Sequence, residues 1–159
     1  EILRGTPILL QLYFFWLLLP KILSFNLSDT ACIIVALIVN ASSYVAEVIR
    51  AGIQAVDKGQ TEAAKSLGLS NWNTMRKIIL PQAVKNILPA LGNEYITMVK
   101  QTSLASVFFV QELMTSYKTV QSATFLALPS LIIVGIIYFV VTSVLSKGLS
   151  ILEMRLQND

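Results

Sequence analysis

The sequence contains no histidine and a single cysteine, Cys32. Without histidine, the commonest general base and the commonest metal ligand are missing. A lone cysteine forms no internal disulfide, and nothing stands at metal-ligand spacing from it. It lies in an apolar run over 31–39 and reads as a side chain facing lipid or another helix. Charge is scarce as well. Charged residues make up 13% of the 159 positions, against roughly 25% in an ordinary globular domain. The net charge of +3 comes from scattered basic residues, whereas nucleic-acid binding calls for a dense basic stripe. No Gly-x-x-x-x-Gly-Lys-Ser/Thr phosphate loop occurs, so the chain does not hold ATP in that way. There is no internal repeat, no low-complexity tract and no strand-like alternation with turn punctuation.

What the chain has in excess is apolar side chain. Hydrophobic residues reach 55% and the mean hydropathy is +0.69. A domain this short cannot bury that much in a core of its own, which makes lipid the natural partner. The implied fold class is all-α, a polytopic transmembrane helical bundle. A span takes about 20 predominantly apolar residues. Four stretches reach or approach this: about 6–25, 30–49, 87–110 and 125–145. The last has 21 residues and no charge and is the clearest, while the third is the least apolar. The chain opens Glu1-Ile2-Leu3-Arg4, with no initiating methionine and no cleavable signal pattern. The expectation is that N-terminal sequence precedes it.

Cytoplasmic loops are enriched in Lys and Arg, which assigns an orientation. With four alternating spans, nine basic residues fall on one side: Arg4, Arg50, Lys58, Lys65, Arg76, Lys77, Lys85, Lys147 and Arg155. Two fall on the other, Lys21 and Lys118, and Lys100 lies within the third span. The polar segment at about 51–82 is therefore expected to be cytoplasmic, with both visible ends. Short extracytoplasmic pieces are expected at about 24–29 and 111–124.

Within the polar segment, residues 62–67 favour helix. Gly68 permits a left-handed C-cap, Ser70 suits the N-cap of a second short helix, and Pro81 marks the next boundary. The predicted order is helix, glycine turn, helix, proline and then a span. Adjacent Ala63 and Ala64 make the first helix small-faced, which lets another surface approach closely. Trp72 and Met75 give the second an apolar edge. Two readings stand open: an amphipathic pair resting on lipid headgroups, or a docking site for a soluble partner.

The pattern Glu62-Ala63-Ala64, three residues, Gly68, nine residues, Ile78, one residue, Leu80-Pro81 resembles the signature loop of ATP-binding-cassette import permeases. Further elements resemble the polar-amino-acid branch of that family. These are Arg4-Gly5-Thr6-Pro7, the stretch 46–53 running into Asp57-Lys58-Gly59-Gln60, Leu91-Gly92-Asn93-Glu94, and Lys100-Gln101-Thr102-Ser103-Leu104. The resemblance covers nearly the whole chain. It implies a type I importer permease-like fold, with 1–159 as one permease domain and a further span ahead of Arg4. It also implies that Glu62, Ala63, Ala64, Gly68, Leu80 and Pro81 belong to a coupling helix and its flank, which docks on a cytoplasmic ATPase dimer. The other implied partners are a second permease subunit, identical or paralogous, and an extracytoplasmic solute-binding protein that delivers a polar amino acid. ATP and Mg would sit on the ATPase, with no cofactor on this chain and no covalent chemistry asked of it.

Polar residues inside spans are costly and mark functional candidates. Glu47 shares a helical face with Asn40, Ser43 and Tyr44, and Arg50 follows it at ion-pair spacing; the pair reads first as structural. Gly5-Thr6-Pro7 reads first as a helix cap. In the third span Glu94, Thr97 and Gln101 share one face, and Asn93, Lys100 and Ser103 a neighbouring one. A carboxylate, hydroxyls and amides there suit a zwitterionic amino acid. Glu94, Lys100, Thr97, Gln101 and Ser43 are the candidate substrate contacts, with a polar helix–helix contact as the alternative. A gradient-driven transporter and a non-transporting membrane scaffold are the competing classes. A membrane enzyme would need a nucleophile–base pair that the sequence does not offer.

Overall fold

The computed structural model describes residues 1–23 and 27–158, with side chains described as far as 155. The end of the first expected span and the start of the piece expected at 24–29 lie outside the described residues. Among the described residues the regular structure is all helical, with no strand. In order, the elements are α1 (Ile2–Gly5), α2 (Ile8–Leu23), α3 (Asp29–Gln54), α4 (Lys58–Ser66), α5 (Asn71–Thr74), a π-helical turn (Met75–Ile79), α6 (Leu80–Gln101), a 3₁₀ segment (Thr102–Phe108), α7 (Leu113–Thr124) and α8 (Ala127–Asn158).

Local chemistry sets the ends. Ser28 caps α3 by accepting from the Ala31 amide at 3.2 Å, and the indole of Trp16 donates to Asp29 Oδ1 at 2.7 Å, fastening α2 to that end. Asp57 caps α4 through the Gly59 amide at 2.6 Å. Both α3 and α8 are long and apolar enough to cross a membrane, while the 16-residue α2 is apolar but shorter. At 1.5 Å per residue, 26 residues of α3 extend about 39 Å, beyond the roughly 30 Å of bilayer hydrocarbon. Along α8, Ile132, Ile133, Ile136, Phe139, Val140 and Val144 are exposed, a surface suited to lipid or to another membrane helix.

Three expectations need correction. The third span was expected over 87–110, but α-helix begins at Leu80 and tightens into 3₁₀ geometry at Thr102. The piece expected at 111–124, for which the sequence suggested no structure, is mostly helix. Glu112 accepts the Met114 and Thr115 amides at 2.7 and 2.6 Å and starts the 12-residue α7. Nor does Pro81 interrupt the chain's helical course. The π-helical turn just before it, closed by the Leu80 amide on the Met75 carbonyl, shifts the hydrogen-bond register, and Pro81 then sits among the first helical positions, where its missing N–H costs nothing.

Helix α3 is the hub. It packs against α2 on one side and α6 on the other, and α6 packs in turn against α8. A buried cluster of Leu12, Ile33, Ala36, Ala105 and Phe108 joins α2, α3 and the 3₁₀ segment. Tyr13 and Trp16 bracket the Phe108 ring at centroid distances of 4.7 and 5.6 Å. The α3–α6 contact is closest at Gly52, where an added Cβ would collide with Ile87 Cγ1 and come within 3.5 Å of the Ala83 carbonyl. Ile87 is buried and stiff at its branched Cβ, so it yields little. Gly52→Leu is expected to cost about 1–3 kcal/mol by overpacking and to lower the melting temperature in detergent, with Gly52→Ala milder. An unchanged melting temperature for Gly52→Leu would contradict this packing.

Candidate functional site

Two polar assemblies and one exposed module stand out from the apolar bundle. The first assembly is buried. Gln11 and Asn40 are 6% and 2% exposed, and Asn40 Nδ2 donates to Gln11 Oε1 at 2.9 Å. Gln11 Nε2 in turn donates to the Leu3 carbonyl at 2.6 Å, the Thr6 hydroxyl at 2.8 Å and the Thr6 carbonyl at 3.1 Å. The Thr6 hydroxyl also donates to the Ile2 carbonyl at 3.0 Å. Carbonyls released where Gly5-Thr6-Pro7 breaks α1 from α2 thus find a donor from inside the bundle, as buried polar backbone requires. The second assembly lies about two turns further along α3. Glu47 pairs with Arg50 and with Arg4 at 3.3 Å, and Arg50 Nη1 donates to Gln54 Oε1 at 2.9 Å. Arg4 and Glu47 therefore lock α1 onto α3. Both assemblies are satisfied internally, in keeping with the structural reading of Glu47, Arg50 and Gly5-Thr6-Pro7.

The exposed module is the segment between α3 and α6. Helix α4 ends as a Schellman motif. The Leu69 amide donates to the Ala64 carbonyl at 3.1 Å and the Gly68 amide to the Lys65 carbonyl at 2.9 Å, with Gly68 left-handed at φ +76°. Ser70 then accepts the Asn73 amide at 3.3 Å and starts α5. This is the helix, glycine turn, helix order that the sequence predicts. Glu62, Ala63, Gly68, Leu80 and Pro81 are exposed, as are Leu67 at 79% and Trp72 at 70%. Ala64 differs. It is 1% exposed, because α4 lies across α5 and the π-helical turn, so the small outward face rests on Ala63 and not on both alanines.

The candidate substrate contacts are not brought into one site. Glu94, Thr97 and Gln101 are half-buried along α6, and the Thr97 hydroxyl is spent on the Asn93 carbonyl at 3.0 Å. Lys100 is exposed and lines a cavity with Ser103, Ser106, Met114 and Tyr138. Ser43 lies on α3 and donates to the Asn40 carbonyl at 2.7 Å. Sequence reasoning missed the polar contacts that α7 makes beside that cavity. Glu112 accepts from Tyr138 Oη at 3.3 Å while capping α7, and Lys118 donates to the Ser106 carbonyl at 2.9 Å. The available signal was Glu112 followed by Thr115, an N-cap carboxylate three residues ahead of a hydroxyl.

Known proteins of similar sequence agree on a class: membrane-embedded transport permease subunits, not enzymes. The chain belongs to the family described as binding-protein-dependent transport system inner membrane component, whose model matches residues 1–157, and is thus a component of a cell membrane. It is 40% identical over 159 residues to the arginine transport system permease protein ArtQ of Bacillus subtilis, covering 100% of this chain and 73% of that one. It is 38% identical over 160 residues to the glutamine transport system permease protein GlnP of Escherichia coli, covering 99% and 72%. A solved structure of an amino acid ABC transporter with histidines superposes at a TM-score of 0.91 with 46% identity, over 98% of this chain and 72% of that one. An inward-facing methionine ABC transporter shares the fold at a TM-score of 0.69 and 19% identity, over 94% and 70%.

Removing one member of the buried amide pair strands the other. Asn40→Leu is expected to destabilise the detergent-solubilised protein by about 1–3 kcal/mol. Adding Gln11→Met recovers only part of the loss, because Gln11 also serves Leu3 and Thr6. A melting temperature that does not fall with Asn40→Leu would show that the pair carries no stability.

Proposed function

We propose that this chain is the permease subunit of an ATP-driven, binding-protein-dependent importer of polar amino acids, with residues 1–159 acting as one transmembrane domain. The observation that carries the reading is the exposed module at 51–82. The sequence pattern shared with import permeases folds into a capped α4, a left-handed Gly68 and an α5 that continues without a break into α6. Its outer face, with Glu62, Ala63, Leu67 and Gly68, has no partner among the described residues and lies at the end where basic residues collect, the cytoplasmic side by the Lys/Arg bias. The names of the relatives, arginine and glutamine permeases, support a polar amino acid as cargo.

The mechanism follows from how the module is hung. Two copies of α4, one on this chain and one on a second permease subunit, dock on a pair of ATPases that hold ATP and Mg. Closure of the ATPases draws the two modules together. Because α5, the π-helical turn and α6 form one helical course, that motion is delivered to α6, and through the Gly52 and Gly92 contacts to α3 and α8. The route opens outward to a loaded solute-binding protein, and hydrolysis returns it inward. Glu94, Thr97 and Gln101 on one face of α6 are the proposed substrate contacts, with the Glu94 carboxylate and the Gln101 amide carrying the recognition; Ser43 on α3 and Lys100 at the cavity, which the fold does not bring to that face, would meet the cargo from separate positions.

Two predictions test this reading. The ATPase should co-purify with the native permease and be lost with Glu62→Lys, which reverses a charge on the docking face. It should also be lost with Gly68→Pro, since proline cannot adopt φ +76°. Equal recovery of the ATPase with both variants would remove the module from the interface. Glu94→Gln should lower uptake in ATP-loaded liposomes by about tenfold or more and shift the preference between cationic and neutral amino acids, the loss of one charge-assisted contact being worth about 1.5–3 kcal/mol. Unchanged uptake and selectivity would take Glu94 out of the substrate site.

A further inference from the structure

The stretch leading from the exposed module into α6 is free of acid. Residues 63–93 hold Lys65, Arg76, Lys77 and Lys85 and no Asp or Glu. The ion pairs both use Glu47, so none of these four cations is neutralised by another of the described residues. Arg76, Lys77 and Lys85 are exposed. Their spacing is fixed by the π-helical turn and α6, which run as one course, so the nine residues from Arg76 to Lys85 cover about 13 Å along the axis. Exposed apolar side chains alternate with them: Trp72 at 70%, Leu80 at 43% and Val84 at 38%.

Helix α8 adds a fourth cation at the same level. Gly92 abuts Leu149, and Ser103 and Tyr138 line one cavity, so α6 and α8 run antiparallel. Lys85 lies seven residues before Gly92 and Arg155 six after Leu149, which places them about 10 and 9 Å beyond the shared contact in the same direction. Two carboxylates lie nearby. Asp57 shares a groove with Lys85 but is occupied in capping α4, and Glu153 makes no ion pair. The level keeps an excess of positive charge.

We propose that Arg76, Lys77 and Lys85, with Arg155, form a binding band for the phosphate headgroups of anionic lipids in the leaflet where α6 enters the membrane. With α6 taken as the expected third span, unpaired cations at its start, beside exposed Val, Leu and Trp, match both features of that zone: negative surface charge and an apolar boundary. Long Lys and Arg stems lie along the apolar surface while their heads reach phosphate. A soluble acidic partner would satisfy the charges but would have no use for the exposed Val84 beside Lys85 on the same helix.

The test uses the complete permease–ATPase complex in mild detergent, titrated with phosphatidylglycerol or phosphatidylcholine and read by native mass spectrometry. The neutral triple variant Arg76→Gln, Lys77→Gln, Lys85→Gln is compared with the charge-keeping Arg76→Lys, Lys77→Arg, Lys85→Arg. Phosphatidylglycerol should bind the native and charge-keeping forms alike and the neutral form at least about tenfold more weakly, with phosphatidylcholine weak throughout and the ATPase retained in all. On the native complex alone, phosphatidylglycerol binding should fall steeply with added salt, a readout that stands even where the neutral variant folds poorly. Equal phosphatidylglycerol binding by the neutral form, phosphatidylcholine binding as tightly, or salt-independent binding would each overturn the proposal. Loss of the ATPase from the neutral form with lipid binding intact would assign the band to the ATPase interface instead.

Discussion

Everything between α3 and α6 hangs from a contact made where one of the two helices has no side chain. Gly52 lies two residues before the end of α3, and Ile87 seven residues into α6. Their close approach clamps the base of a 25-residue module whose own helices are too short to be stable alone. The clamp makes the module an arm and not a tether. In the proposed coupling, a push on α4 would pass through α5 and the π-helical turn into α6 and reach α3 at Gly52. A second small residue, Gly92, lets Leu149 of α8 approach α6 one turn and more deeper. Small residues at helix crossings are how membrane helices gain close packing where the hydrophobic effect offers no drive between them.

The same economy governs the polar groups. The bundle tolerates Gln11 and Asn40 because each hydrogen bond is completed inside the chain, and the break at Gly5-Thr6-Pro7 because Gln11 serves its carbonyls. The Arg4–Glu47–Arg50 set does the same nearer the end of α3. Side chains on α6 behave otherwise. Glu94 and Lys100 make no ion pair among the described residues, and on them the proposed substrate contacts rest.

Much of this was legible from residues whose chemistry acts locally. Gly68 adopts the left-handed turn that glycine favours, Ser70 caps α5, and the apolar runs form α3 and α8. What was not legible depends on neighbours far along the chain. The 3₁₀ tightening at Thr102 is tied to the packing of Ala105 and Phe108 against Leu12, Ile33 and Ala36, which no local pattern encodes. Helix α7 is short and polar, and its start rests on one side chain, Glu112, accepting from the amides of Met114 and Thr115. The inward turn of Ala64 needs the position of the π-helical turn beneath it, and two adjacent alanines look alike in sequence. The proposed substrate face rests on helical spacing alone. Spacing places Glu94, Thr97 and Gln101 together but says nothing of where Ser43 on another helix will point.

Docking of the α4 face on an ATPase is the claim on which the transport mechanism depends, and proximity in the assembled complex tests it most directly. A photo-crosslinking amino acid at position 63, on the exposed side of α4, is compared with one at position 119, on the exposed side of α7, in membranes holding the complete transporter. Capture of the ATPase from position 63 and not from position 119 is the expected result. Capture from neither position, or equally from both, would contradict it.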